Sequence, residues 1–173
     1  MQRSIALVGL SGVGKSTIAR MLATRLGWAW ADTDALIVAA AGRPIAALFA
    51  DEGEAAFRNR ESAVLAAALA VPQPCALATG GGIVLREANR RILQTKARVA
   101  WLDAPDAEIV ARLSISAEER PLLANNAAAR IAALRASREP LYRALAEVTI
   151  CTADRSPTQV AELLFDQMCY NYK

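Results

Sequence analysis

The tightest constraint on this chain is the octet Gly9-Leu10-Ser11-Gly12-Val13-Gly14-Lys15-Ser16. A glycine, four residues and then Gly-Lys-Ser form a phosphate-binding pattern, and each part has a physical reason. The glycines allow a tight turn with no Cβ in the way, so backbone N–H groups can converge on phosphate oxygens as an anion nest. Lys15 adds a point charge suited to β- and γ-phosphates, and Ser16 a hydroxyl suited to Mg²⁺. Upstream, Ile5-Ala6-Leu7-Val8 reads as a buried strand. Downstream, apolar residues at 18, 21, 22 and 26 are spaced for a helix over Ser16–Leu26. A helix starting there turns its positive end toward the phosphates. A glycine-rich turn that binds nothing is the alternative, and the register of strand, loop, Lys-Ser and helix argues against it.

The chain has 173 residues, 54% of them hydrophobic, which fits one domain with a real core over 1–173. A net charge of +3 without a run of like charges argues against a nucleic-acid surface. There is no histidine, which excludes histidine catalysis and histidine metal ligation. Cys75, Cys151 and Cys169 show neither zinc-site spacing nor a disulfide framework and read as reduced thiols of a cytoplasmic protein. No apolar stretch is long enough to span a membrane, and the N-terminal apolar run passes straight into the phosphate loop, so it reads as a first strand rather than a signal peptide. No sticky face stands out, and a monomer is expected.

Along the chain, strand and helix signals alternate. Short apolar runs at Trp28–Ala31, Cys75–Ala78, Arg98–Leu102 and Glu147–Cys151 join the first strand, and helical patterns separate them. Helices are predicted over Ala35–Ala40, Ile45–Ala50, Glu54–Ala70, Arg86–Lys96 and Asp106–Leu113. Three more follow over Asn126–Ser137, Glu139–Ala146 and Thr158–Met168, with Arg138-Glu139-Pro140-Leu141-Tyr142 bridging the first two. Such alternation argues a parallel sheet covered on both faces, whose ligands bind at the carboxyl ends of the strands.

Three constellations sit at such ends. Asp32-Thr33-Asp34 closes the second strand, and two carboxylates two apart point the same way if the strand continues. Asp32 then supports Mg²⁺ and Asp34 accepts a proton from a hydroxyl; equally, Asp32 or Thr33 merely caps the next helix. Arg58 and Glu61 share a helical face, either as an ordinary ion pair or as an arginine positioned for a carboxylate. Thr79-Gly80-Gly81-Gly82 follows the third strand and leaves a ligand free to approach the backbone. The polar, Pro-punctuated stretch Ser114–Leu123, flanked by Arg112 and carrying Arg120, reads as a lid over about 112–125.

Together these pieces resemble the shikimate kinase family of small P-loop kinases. The likeness rests on the phosphate loop, Asp32-Thr33-Asp34, Ala41-Gly42-Arg43-Pro44-Ile45, Phe57-Arg58 with Glu61, Thr79-Gly80-Gly81-Gly82, Arg120-Pro121-Leu122-Leu123 and Arg138-Glu139-Pro140-Leu141-Tyr142. It implies a three-layer αβα fold, a five-stranded parallel sheet ordered 2-3-1-4-5, and ATP-dependent phosphorylation of a shikimate hydroxyl in aromatic amino acid biosynthesis. It also implies that Gly12, Val13, Gly14, Lys15, Ser16 and Thr17 hold the nucleotide, with Arg112 and Arg155 beside it, and that Ser16 and Asp32 hold Mg²⁺. Asp34 would orient or deprotonate the attacked hydroxyl, and Arg58 and Arg138 would grip the shikimate carboxylate. Gly80, Gly81 and Gly82 would give backbone contacts, and Arg120 would reach the γ-phosphate. The acceptor region would span about 33–61, with Phe49 and Phe57 either walling the ring or belonging to the core. Val38-Ala39-Ala40 and the absence of basic residues over Ser114–Glu119 depart from the family and read as surface drift. A gluconate-type kinase and a non-catalytic nucleotide-binding regulator are the other readings.

Overall fold

In a computed structural model, which describes residues 2–115 and 126–169, the expected alternation is realised as five strands and seven α-helices. They run β1 (Ser4–Val8), α1 (Lys15–Leu26), β2 (Ala29–Asp32), α2 (Thr33–Ala41), α3 (Ile45–Ala68), β3 (Cys75–Ala78), α4 (Glu87–Lys96), β4 (Ala97–Asp103), α5 (Asp106–Ile115), α6 (Ala127–Leu145), β5 (Val148–Cys151) and α7 (Pro157–Cys169). The strands pair in parallel in the order β2-β3-β1-β4-β5. β1 is central and buried along its whole length, which is why it reads as unbroken apolar sequence. α1 and α7 pack together on one face; α3, α4 and α6 lie on the other, as right-handed crossovers require. No single helix among the described residues is long and apolar enough to cross a membrane. The bent pair α2 and α3 passes that test only jointly, with a 93° turn between its halves.

Pairing register sets the position of the site. Leu7 lies opposite Ala78, Val8 opposite Trp101, and Asp32 opposite Ala78. The phosphate loop, Asp32 and Thr79–Gly82 therefore emerge side by side at the carboxyl ends of β1, β2 and β3. A second, smaller core of Ile37, Leu48 and Phe57 lies apart from the main one and joins α2 to α3.

Several sequence expectations shift. β2 begins at Ala29 rather than Trp28 and takes in Asp32, but the chain turns into α2 at Thr33. Asp34 thus sits in the first turn of a helix, not on a continuing strand. The two helices expected around Arg138–Tyr142 are one, with Pro140 inside it. Proline lacks an N–H but its φ suits a helix, and packing of Ile131, Tyr142 and Leu145 carries the helix across the gap. A 3₁₀ turn over Ile83–Leu85, with no sequence signal of its own, links the glycine run to α4. The expected break at Gly53 is present: it has φ 78° and ψ 171° and splits α3 into segments 45–52 and 54–68. Of the proposed lid, Arg112 to Ile115 belong to α5, and 116–125, including Arg120, lie outside the described residues.

Candidate active site

The phosphate loop has the geometry its glycines predict. Gly9 adopts φ 138°, and a Cβ on it would lie 2.2 Å from the carbonyl oxygen of Leu102 on β4, so no other residue fits. Gly14, in the left-handed region, leads directly into α1. Lys15 is buried and folds back over the loop, donating to the carbonyls of Gly9 at 2.9 Å and Leu10 at 2.7 Å. Burial pushes its ammonium down to about 8, against the pull of Asp34 and Asp32 and with the positive Arg138 adding to the depression.

Of the two sequence readings of Asp32, the structure shows the cap, and it adds a bond to Ser16. Its Oδ1 caps α2, accepting from the N–H groups of Asp34 at 2.9 Å and Ala35 at 3.3 Å. Its Oδ2 accepts from Ser16 Oγ at 2.5 Å. Thr33 is not the cap: its buried hydroxyl accepts the Gly80 N–H at 2.8 Å and so ties the start of α2 to the glycine run. A hydroxyl and one carboxylate, hard oxygen donors beside a phosphate loop, fit Mg²⁺, which keeps most of its waters and needs few protein ligands.

Two cavities meet at Asp34. One, of about 440 Å³, is walled by Ser11, Lys15, Ser16, Asp32, Thr79 and Gly81. The other, of about 880 Å³, is walled by Val38, Arg43, Phe49 and Arg130. Asp34 and Ala35 line both. Phe57 is buried in the small core, whereas Phe49 stacks on it with ring centroids 4.4 Å apart and lines the larger cavity. Val38 lines that cavity too, so the apolar replacement there is not confined to the surface as expected.

Arg58 lies over this side of the site. Its Nη1 donates to both oxygens of the buried Glu61 at 3.0 Å, and Glu54 takes the other edge of the guanidinium. Burial raises the Glu61 carboxyl above its usual range, with Arg58 opposing. This is not the weak surface pair weighed above: Glu61 is 1% exposed and Arg58 12%. Arg138 comes from α6, and its buried Nε has no hydrogen-bond partner among the described residues. A buried cationic donor left unpaired is costly unless an anion completes it. Tyr142, one helical turn on, donates to the Gly81 carbonyl at 2.5 Å.

A third cavity of about 290 Å³ runs from Gly12, Val13 and Thr17 to Arg112, Thr152, Arg155 and Pro157. Arg112 is held against the end of β5, donating to Thr152 Oγ1 at 2.9 Å and its carbonyl at 3.0 Å. Arg155 donates to the Cys151 carbonyl at 2.7 Å. The described candidates thus gather at the carboxyl ends of the strands, with Arg58 and Arg138 beside Gly82 and Gly81 rather than on the walls of these three cavities. Sequence reasoning missed the holding roles of Thr33, Tyr142 and Thr152, whose partners lie 47, 61 and 40 residues away.

Comparison with known proteins bears on the family and the fold. The family model for shikimate kinase matches residues 11–169. A shikimate kinase of Symbiobacterium thermophilum is 43% identical over 167 residues, covering 95% of each chain. One of Nitrobacter winogradskyi is 48% identical over 153 residues, covering 88% of this chain and 70% of its own. The structure of shikimate kinase from Acinetobacter baumannii in complex with shikimate superposes with a TM-score of 0.91 at 34% identity, covering 99% of this chain and 95% of the other.

Proposed function

The chain belongs to the shikimate kinase family, and from that membership and the geometry we infer that it moves the γ-phosphoryl group of ATP to a shikimate hydroxyl, releasing ADP and 3-phosphoshikimate. The observation that carries the reading is Asp34 on the wall common to the phosphate-loop cavity and the larger cavity. A group that must touch an acceptor hydroxyl on one side and face a phosphoryl group on the other belongs at that junction.

Each residue has a role in this reading. The third cavity takes the nucleoside end of ATP, with Arg112 and Arg155 beside it, and the backbone from Gly12 to Thr17 takes the phosphates. Lys15 leaves its two carbonyl partners for the β- and γ-phosphates. Ser16 and Asp32 are the oxygen ligands for Mg²⁺, which when bound neutralises phosphate charge. Arg58 and Arg138 hold the acceptor's carboxylate, an arrangement suited to paired guanidinium donors. Asp34 orients the hydroxyl and accepts its proton as the oxygen attacks phosphorus and the bond to ADP breaks. Arg120 brings a further positive charge to the moving phosphoryl group, an assignment resting on the family likeness. In this reading the protein acts as a monomer. Three free cysteines suit a reducing cytoplasm. The product would feed aromatic amino acid biosynthesis.

ADP release in the presence of ATP, Mg²⁺ and shikimate tests the reading. Turnover should require shikimate, and Asp34→Asn should lower kcat about a hundredfold or more while ATP still binds. Gluconate-dependent turnover, or tight ATP binding with no acceptor, would overturn it.

A further inference from the structure

Three glycines in a row follow β3, yet none sits in the left-handed region. Gly82 has φ −91° and ψ 0°, which alanine can adopt. Backbone conformation does not explain the run, but space does. A Cβ on Gly82 would lie 2.3 Å from Arg58 Nη1 and 2.6 Å from Cζ and Nη2. One on Gly80 would lie 2.5 Å from Asp34 Oδ1 and 3.1 Å from Glu61 Oε1. On Gly81 the nearest atom is Arg138 Nη1, at a looser 3.3 Å. Each glycine faces a different polar side chain of the acceptor side.

The loop cannot retreat to make room. Gly80 N–H donates to Thr33 Oγ1 at 2.8 Å, and the Gly81 carbonyl accepts from Tyr142 at 2.5 Å. The carbonyls of Gly80 and Gly82 accept from the N–H groups of Ile83 at 3.1 Å and Leu85 at 3.0 Å. Thr79 is bound to the Leu7 carbonyl through both its N–H and its hydroxyl. With the backbone pinned on both sides, an added carbon must displace the side chain it meets. For Gly82 that is the end of a long, flexible arginine, so the fold survives while the guanidinium leaves its seat.

We propose that Gly82 and Gly80 are positioning residues. The missing side chain at Gly82 lets the Arg58 guanidinium settle on Glu61, and the one at Gly80 lets the Asp34 carboxylate reach the junction of the two cavities. The inference rests on the acceptor roles given above to Arg58 and Asp34. It differs from contact between the loop's N–H groups and the acceptor, because a methyl group leaves those N–H groups in place.

A double-mutant cycle on the full enzyme tests it, using Gly82→Ala, Arg58→Ala and the pair. Gly82→Ala should raise the KM for shikimate about tenfold or more, as loss of a charged anchor does, with the KM for ATP unchanged and the melting temperature lowered, because the buried Glu61 loses its partner. In the Arg58→Ala background the same substitution should add nothing. Gly80→Ala should act on kcat, and Gly81→Ala should be the mildest of the three. An unmoved KM in Gly82→Ala, full additivity in the cycle, or Gly81→Ala as the most damaging change would each overturn the inference. A crystal structure of Gly82→Ala judges the clearance directly. A guanidinium lifted off Glu61 supports it, and one still seated at 3.0 Å refutes it. If Arg58→Ala itself leaves the KM for shikimate unmoved, the acceptor reading fails, and the crystal structure still decides whether Gly82 makes the room.

Discussion

Asp32 divides its carboxylate, one oxygen capping α2 and the other meeting Ser16. The cap was one of two uses the sequence offered, and the bond to Ser16 was not legible there, because nothing local shows that a single side chain serves two elements at once. Lys15 is equally local and gives a pH test. Burial pushes its ammonium down to about 8, against an ordinary value of 10.5. The phosphates of ATP favour the ammonium, so binding restores a proton the free site has lost. ATP affinity should therefore fall as pH rises above about 8, and binding in that range should take up a proton. Calorimetry in buffers of different ionisation heat measures this, and an uptake of zero at pH 9 would refute it. The folded protein's own balance runs the other way. The unfolded chain holds this proton up to a higher pH, so Lys15 contributes stability as pH rises from about 8 toward 10.5.

At the scale of elements, α3 is legible because its break has a chemical signature: Asp51-Glu52-Gly53 interrupts an otherwise helical pattern. Gly53 holds a conformation open almost only to glycine, with nothing within 4 Å of where a Cβ would sit. Gly53→Ala should cost about 1–3 kcal/mol, all of it backbone strain, measured by urea unfolding. A change near zero would mean that the two segments can realign freely. Charge holds the corner as well: Glu52 is gripped by Arg43 and Arg60, and Arg43 also takes Asp51. α6 was less legible. Pro140 is a strong stop signal, and nothing local reveals that Tyr142 is buried and fastened to a loop 61 residues away. Long-range packing overrode local punctuation there, as it did at the 3₁₀ turn.

Across the whole molecule, the alternation of elements and the phosphate loop made the fold class readable, while the strand order came with the family likeness. Neither disclosed that the main core and the acceptor side are packed separately. The phosphate-loop cavity lies where they meet, walled by the loop and by Asp34 and Ala35 of α2, so ligands that bridge them should stabilise the fold. Shikimate at 100 times its Kd should add about 2.7 kcal/mol to unfolding stability. The same concentration should add much less to Arg58→Ala, and equal stabilisation of both proteins would remove Arg58 from the acceptor site. The small core of Ile37, Leu48 and Phe57 also bears on descent. Mutations there should reshape the larger cavity more than they loosen β1, which is buried in the main core. Val38, apolar and lining the larger cavity, lies on the side of that small core. A new acceptor would then call for repacking one corner, with the phosphate loop left as it stands.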